Sequence, residues 1–181
     1  YMYSGPIAAH SYYALSKEGR PEFIVILGPN HTGYGAAVSI MTDGLWETPL
    51  GRVEVDSELA SKIVKACKIV RPDYEAHIFE HSVEVQLPFL QYVYGNTFKF
   101  VPIIMMDQTL ETAKKLGEAL AKVGGDDVLF IASTDLSHYE PHNIAVKLDS
   151  QIIEAVKKMD PHAIYEAVYR KGISMCGPGP V

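Results

Sequence analysis

Glu22-Phe23-Ile24-Val25-Ile26-Leu27-Gly28-Pro29-Asn30-His31 is the stretch on which the fold turns. From Phe23 to Leu27 no polar residue interrupts the run. A strand that alternates apolar and polar residues has one wet face. A continuous apolar run that stops at Gly-Pro is a strand covered on both faces, as in a parallel sheet packed between helices. Asp127-Val128-Leu129-Phe130-Ile131-Ala132-Ser133 repeats the pattern and reads as a second buried strand. Phe98 to Ile104 is a third, and Pro102 inside it predicts an edge or a bulge, because proline has no N–H for the ladder. Ala36 to Met41 reads as a further strand and Leu45 to Val55 as a looser extended stretch.

Helical patterns separate these runs. Gly5 to Ser16 is rich in Ala, Tyr and Leu. Ser57 to Cys67 follows a good N-cap in Asp56, and puts Leu59, Ile63, Val64 and Cys67 on an apolar face. Val83 to Tyr94 is helical with a kink or a late start at Pro88. Thr109 to Val123 is amphipathic and ends at Gly124-Gly125. Ile144 to Met159 and Pro161 to Arg170 complete the set, the second with Asp160 as N-cap. Strands alternating with helices predict an α/β domain with a three-layer α/β/α build and a mostly parallel or mixed central sheet.

The chain has 181 residues, 48% of them hydrophobic and 21% charged, which is globular composition for one domain. The net charge of −6 offers no electrostatic footprint for nucleic acid. No apolar run approaches the roughly 20 residues that span a bilayer. Two cysteines, Cys67 and Cys176, make no disulfide framework, so a reducing, cytoplasmic setting is expected. The first residue is Tyr1 and the last six are Cys176-Gly177-Pro178-Gly179-Pro180-Val181, which suggests a domain over residues 1–181 cut at both ends.

In open α/β sheets, ligands bind just beyond the carboxyl ends of the strands. Two of the buried runs end in polar loops that carry a histidine. Gly28-Pro29-Asn30-His31-Thr32-Gly33 is one, and Ser133-Thr134-Asp135-Leu136-Ser137-His138-Tyr139 is the other. Histidine is the commonest metal ligand and the usual acid/base near neutral pH, so His31 and His138 are functional candidates. Glu80-His81-Ser82-Val83-Glu84 is a third cluster. On a helix Glu80 and Glu84 share a face, but periodicity alone favours an ordinary solvated first turn. Cys176, beside a Gly/Pro turn, reads either as a reactive thiolate or soft metal ligand, or as a small buried hydrophobe. Cys67 reads as core, His77 and His142 as loop residues and His162 as a solvated first-turn residue. There is no phosphate-binding glycine loop, no Gly-x-Ser-x-Gly elbow, no His-Glu-x-x-His pair and no Cys-x-x-Cys knuckle. Their absence removes most nucleotide, serine-hydrolase, zincin and zinc-finger readings.

Taken together, five pieces resemble the Memo family, which is related to the LigB-like class III extradiol dioxygenases. They are Tyr3-Ser4-Gly5 with Ala8-Ala9-His10, Ile26 to His31, Glu80 to Pro88, Ser133 to His138, and Cys176-Gly177. The resemblance covers nearly the whole chain, and the wording Gln86-Leu87-Pro88-Phe89-Leu90 is similar to prokaryotic or archaeal members. It implies a LigB-like fold with a metal pocket. His31 and Cys176 match two metal ligands. A third, a histidine, belongs to a motif whose last residue matches Tyr1, so it falls upstream. His138 matches the dioxygenase acid/base, with Asp135 beside it, and His81 and Glu84 match pocket-lining residues. The implied cofactor is a divalent or redox metal ion, namely iron, copper or zinc, and a thiolate ligand tilts the choice toward copper or zinc.

Three functions compete at this level. One is a metal-dependent oxidoreductase of the extradiol type. Another is a non-enzymatic metal- or peptide-binding, signalling protein on the same fold, and the last is a zinc-type hydrolase. The partners expected are a small-molecule or peptide ligand, with neither nucleic acid nor membrane.

Overall fold

The computed structural model describes residues 2–181, for Asp126 the backbone only. Tyr1, matched above to the end of an upstream motif, lies outside the described residues.

The run that opens the sequence argument is β1 (Phe23–Pro29), and its burial from Ile24 to Pro29 is continuous. It is flanked on both sides by parallel strands. β6 (Lys99–Met105) pairs with it so that Val25 faces Val101 and Pro29 faces Met105. β7 (Val128–Ala132) pairs on the other side, with Phe23 opposite Val128 and Leu27 opposite Ala132. Beyond β6 the sheet is mixed. β2 (Val38–Ile40) runs antiparallel against the end of β6 and carries β5 (Arg71–Pro72) on its far side. The stretch expected to be loosely extended is a hairpin, β3 (Leu45–Thr48) and β4 (Gly51–Val55), and β4 runs parallel to the start of β6.

Pro102 therefore sits in an interior strand rather than on an edge. β4 pairs with Lys99 and Phe100, and β2 pairs with Ile103 to Met105. The proline falls where one partner hands over to the other. Its carbonyl accepts from Met41 N–H on that side at 3.4 Å, and N and O of one strand residue point the same way. The missing donor thus lands in a gap between two ladders.

Helices cover both faces, which gives the three layers expected. On one face α2 (Ser57–Ala66) and α5 (Leu110–Gly124) pack Leu59, Ile63, Leu116 and Leu120 onto Val25, Leu27, Val101 and Ile103. On the other, α1 (Gly5–Leu15) and α4 (Leu87–Tyr94) pack Tyr12, Leu87 and Leu90 onto Ile24, Ile26, Phe100 and Ile104. Asp56 caps α2 as its sequence predicts, accepting from Leu59 N–H at 2.9 Å. The Val83 to Tyr94 helix starts late. A 3-10 turn over Glu84–Gln86 precedes α4, and Pro88 lies in the first turn, where its missing N–H costs nothing.

α3 (Glu75–Ile78) is a single short turn that buries His77, which the sequence places in a loop. α6 (His142–Lys157) and α7 (Pro161–Tyr169) form a separate apolar cluster with Ile173 and Met175. β7 departs from expectation, for it pairs only with β1 among the described residues and is half-exposed, Phe130 at 42%. An apolar run is buried on both faces only where helices cover both faces and strands flank both edges, and β7 is the last strand of this sheet. Among the described residues no helix is long and apolar enough to cross a membrane.

Candidate functional site

β1 and β7 are parallel neighbours, so their carboxyl ends reach the same rim of the sheet. Adjacent strands lie about 4.8 Å apart, which brings the loops after them into one neighbourhood. His31 follows β1 by two residues and Asp135 follows β7 by three. The rim has two sides, each built on one of these loops.

The first side begins with a glycine. A Cβ on Gly28 would collide with the Ser82 hydroxyl and lie 2.8 Å from its Cβ. Without one, Ser82 tucks against β1 and donates to Pro29 O at 2.9 Å. That contact carries Glu80 and His81 onto the end of β1. Beyond it, Asn30 builds the turn that presents His31. Its Oδ1 accepts from Thr32 N–H and Gly33 N–H at 3.0 and 2.7 Å, and Gly33 takes the left-handed φ of +74° that the turn needs.

Glu80 is the anchor of this side, and its side chain has no exposed area. Its Oε1 receives His31 Nδ1 at 2.9 Å and Ser82 N–H at 2.9 Å, and lies 3.3 Å from His81 Nδ1. Its Oε2 receives the His31 backbone N–H. Burial pushes its carboxyl upward, but the hydrogen bonds from the His31 ring, the His31 backbone and the Ser82 backbone outweigh that. The net effect is a carboxylate below its usual range, charged at neutral pH. The His31 and His81 rings lie 4.7 Å apart, centroid to centroid. One donor atom from each of His31, Glu80 and His81 falls within 4.8 Å of the others, a spacing that can hold a metal ion. Glu80 is the residue the sequence reading undervalued. It does not lie in a solvated helical turn; it is a buried loop residue. Glu84, expected to line the pocket, is exposed on the 3-10 turn.

The second side holds Asp135, His138 and Cys176. The Cys176 Sγ accepts the Asp135 N–H at 3.1 Å and lies 3.7 Å from Thr134 Oγ1, while the Cys176 N–H donates to Asp135 O at 3.2 Å. The thiol is thus knitted into the loop after β7 and is not one of the His31, Glu80, His81 group. The Ser174 hydroxyl accepts the His138 backbone N–H at 2.8 Å, and the Ser174 carbonyl contacts His138 Nδ1. A carbonyl can only accept, so Nδ1 is the donor in that contact. Nε2 lies 4.0 Å from Asp135 Oδ2. His138 thus turns its second ring nitrogen, Nε2, toward a carboxylate.

The remaining histidines stand apart. His162 is exposed at the start of α7 against Lys114 Nζ at 2.9 Å. His77 is buried with neither ring nitrogen hydrogen-bonded, and burial pushes it down to about 4 despite Asp73 and Glu80 nearby. A cavity of about 820 Å³ opens between α1, the β3–β4 turn and α4, lined by Tyr12, Tyr13, Leu50, Phe89 and Tyr92. It places Tyr12 and Tyr13 in a pocket wall and contains none of the site residues above.

A family model described as Memo-like protein matches residues 1–181. The chain is similar to a MEMO1 family protein of the archaeon Methanopyrus kandleri, 52% identical over 183 residues that cover 99% of this chain and 65% of that protein. It is similar to another from Ignicoccus hospitalis, 51% identical over 185 residues, covering 100% of this chain and 65% of that one. The chain thus spans about 65% of the length of these curated relatives. Among solved structures it is similar to an uncharacterized protein from Escherichia coli K12, with a TM-score of 0.60 and 20% identity over 81% of this chain and 64% of that one. That likeness concerns the fold.

Proposed function

This chain belongs to the Memo-like family, and from that premise we propose that its rim binds a divalent or redox metal and serves a metal-dependent oxidoreductase of the extradiol type. The observation that carries the proposal is the meeting of His31, Glu80 and His81 donor atoms within 4.8 Å. Two histidines and one carboxylate on one face is a donor set that leaves positions open for substrate. The sequence suggested His31 with Cys176, which favours copper or zinc. A carboxylate in place of the thiolate shifts the preference toward iron and zinc. The residues present fit an ion, because Glu80 is charged at neutral pH and both rings abut its Oε1. An ion held there would supply Lewis-acid polarisation of a bound oxygen and, as iron, a seat for dioxygen.

The protein's own groups would do the rest. Glu80 fixes the His31 ring through Nδ1, and an ion held among the three donor atoms would take the place of the proton between them. His138, with its proton held on Nδ1 by the Ser174 carbonyl, offers Nε2 to take a proton from a hydroxyl of the substrate. Asp135 would stabilise the resulting imidazolium.

The test is equilibrium dialysis against Fe(II), Zn(II) and Cu(II), followed by oxygen uptake with a panel of catechols after anaerobic iron loading. Glu80→Gln and His31→Ala are expected to weaken binding by about 100-fold or more, beyond the 10- to 100-fold that losing an outer partner costs. If Cys176→Ala abolishes binding and Glu80→Gln leaves it intact, the ion belongs with the thiol and the proposed ligand set is wrong. Tight metal without oxygen uptake would favour the non-enzymatic, metal-binding reading.

A further inference from the structure

The two sides of the rim are tied together by a side chain that belongs to neither cluster. Gln86 closes the 3-10 turn that begins three residues after His81, and this turn hangs on His81, whose carbonyl accepts the Val85 N–H at 3.2 Å. From there Gln86 reaches in two directions. Its Oε1 accepts from the Tyr12 hydroxyl at 2.7 Å, and its Nε2 donates to Ser133 Oγ at 2.7 Å. Ser133 is buried, and its own N–H donates to Leu27 O of β1 at 2.8 Å. The next two residues, Thr134 and Asp135, are the ones that hold the Cys176 thiol.

We propose that Gln86 is a positioning residue that locks the Asp135, His138 and Cys176 side of the rim onto the Glu80 and His81 side. This rests on the reading of the rim as a single site. The lock works through Ser133. Strand pairing runs through Ala132, and the bond from Ser133 N–H to Leu27 O carries it one residue further. The Gln86 amide holds Ser133, the first residue of the loop after β7, by its side chain. Tyr12, stacked flat on Phe89 at 4.8 Å, holds the other end of the amide. An amide suits the post because it accepts at one end and donates at the other, whereas an apolar side chain of equal length does neither.

The experiment reads the geometry of the second side without any metal. The full chain is stripped with EDTA, and the rate at which iodoacetamide alkylates Cys176 is followed by peptide mass spectrometry, which separates it from the buried Cys67. Gln86→Leu and Ser133→Ala are each expected to speed alkylation about fivefold, the size of one neutral hydrogen bond. The double variant should be no faster than either single, because both break the same link. Gln86→Glu, whose carboxylate accepts from both the Tyr12 and Ser133 hydroxyls, should stay within about twofold of the unaltered protein. Alkylation of Gln86→Leu at the unaltered rate overturns the proposal, and so does a double variant whose acceleration is the product of the singles. Should Gln86→Leu fail to fold, Ser133→Ala and the Gln86→Glu rescue decide the matter. Zinc titration of the unaltered protein reports on the metal proposal separately, and its failure would leave the thiol rates fully interpretable.

Discussion

At the scale of single residues, two positions carry sharp expectations. His77 is neutral in the fold, pushed down to about 4 by burial from an ordinary 6.5. An unfolded chain takes up that proton near pH 6.5, and the folded one resists until about pH 4. Between those values the unfolded state binds more protons, so stability falls as the pH drops through the window and levels off below it. The loss is on the order of 3 kcal/mol. His77→Phe should flatten the profile, and denaturant midpoints at pH 4.5 and 7.5 would show it; an equally steep fall in the variant would assign the effect elsewhere. Gly28→Ala should destabilise by about 1–3 kcal/mol, because the added methyl overlaps the Ser82 side chain and displaces the segment that carries Glu80. A melting temperature equal to that of the unaltered protein would refute the close-approach argument. His31 was legible in the sequence because it closely follows a strand whose burial was plain. Glu80 was not. Its burial depends on a serine meeting a glycine more than fifty residues away, and no local periodicity records such a contact.

At the scale of elements, capping is where sequence and structure agree most closely. Asp56 and Asp160 both accept from the backbone N–H three residues on, at 2.9 and 3.0 Å. Asp56→Ala should cost about 1 kcal/mol of stability and leave metal affinity untouched, since Asp56 sits at the amino end of β6, where its N–H donates to Phe100 O, opposite the rim. Chemical denaturation and dialysis on the same variant check both halves of that statement. Caps are legible because they are written within four residues. Pairing partners are not. The apolar run of β7 reads the same as that of β1, yet one is central and the other is flanked on a single side. Pro102 misleads in the opposite sense. It suggests an edge, but the strand is interior and the proline occupies the gap between β4 and β2. Whether a neighbour is present, or interrupted, is a property of distant chain and not of the strand itself.

At the scale of the molecule, the packing is divided. Two apolar clusters sandwich the sheet, and a third, smaller one lies under α6 and α7. The alternation of strands and helices announced the layers, whereas the independence of the third cluster depends on where α6 and α7 dock. Native-state hydrogen exchange should find the slowest amides in β1 and β6 and a faster, jointly exchanging group in α6 and α7. Uniform protection across both would contradict the division.

The two sides of the rim stand on different parts of this packing. Glu80, His31 and His81 are fastened to β1, between the large clusters. His138 is held by Ser174, between Ile173 and Met175 of the small one. On the proposed function, gentle heating or storage in mild denaturant should therefore separate two competences that an assay of fresh protein would see as one. Ion retention would outlast proton handling, and an aged preparation would carry its full complement of metal while turning over nothing. Metal content would then overstate the working fraction, and a titration that follows the His138 ring directly would be the fairer count.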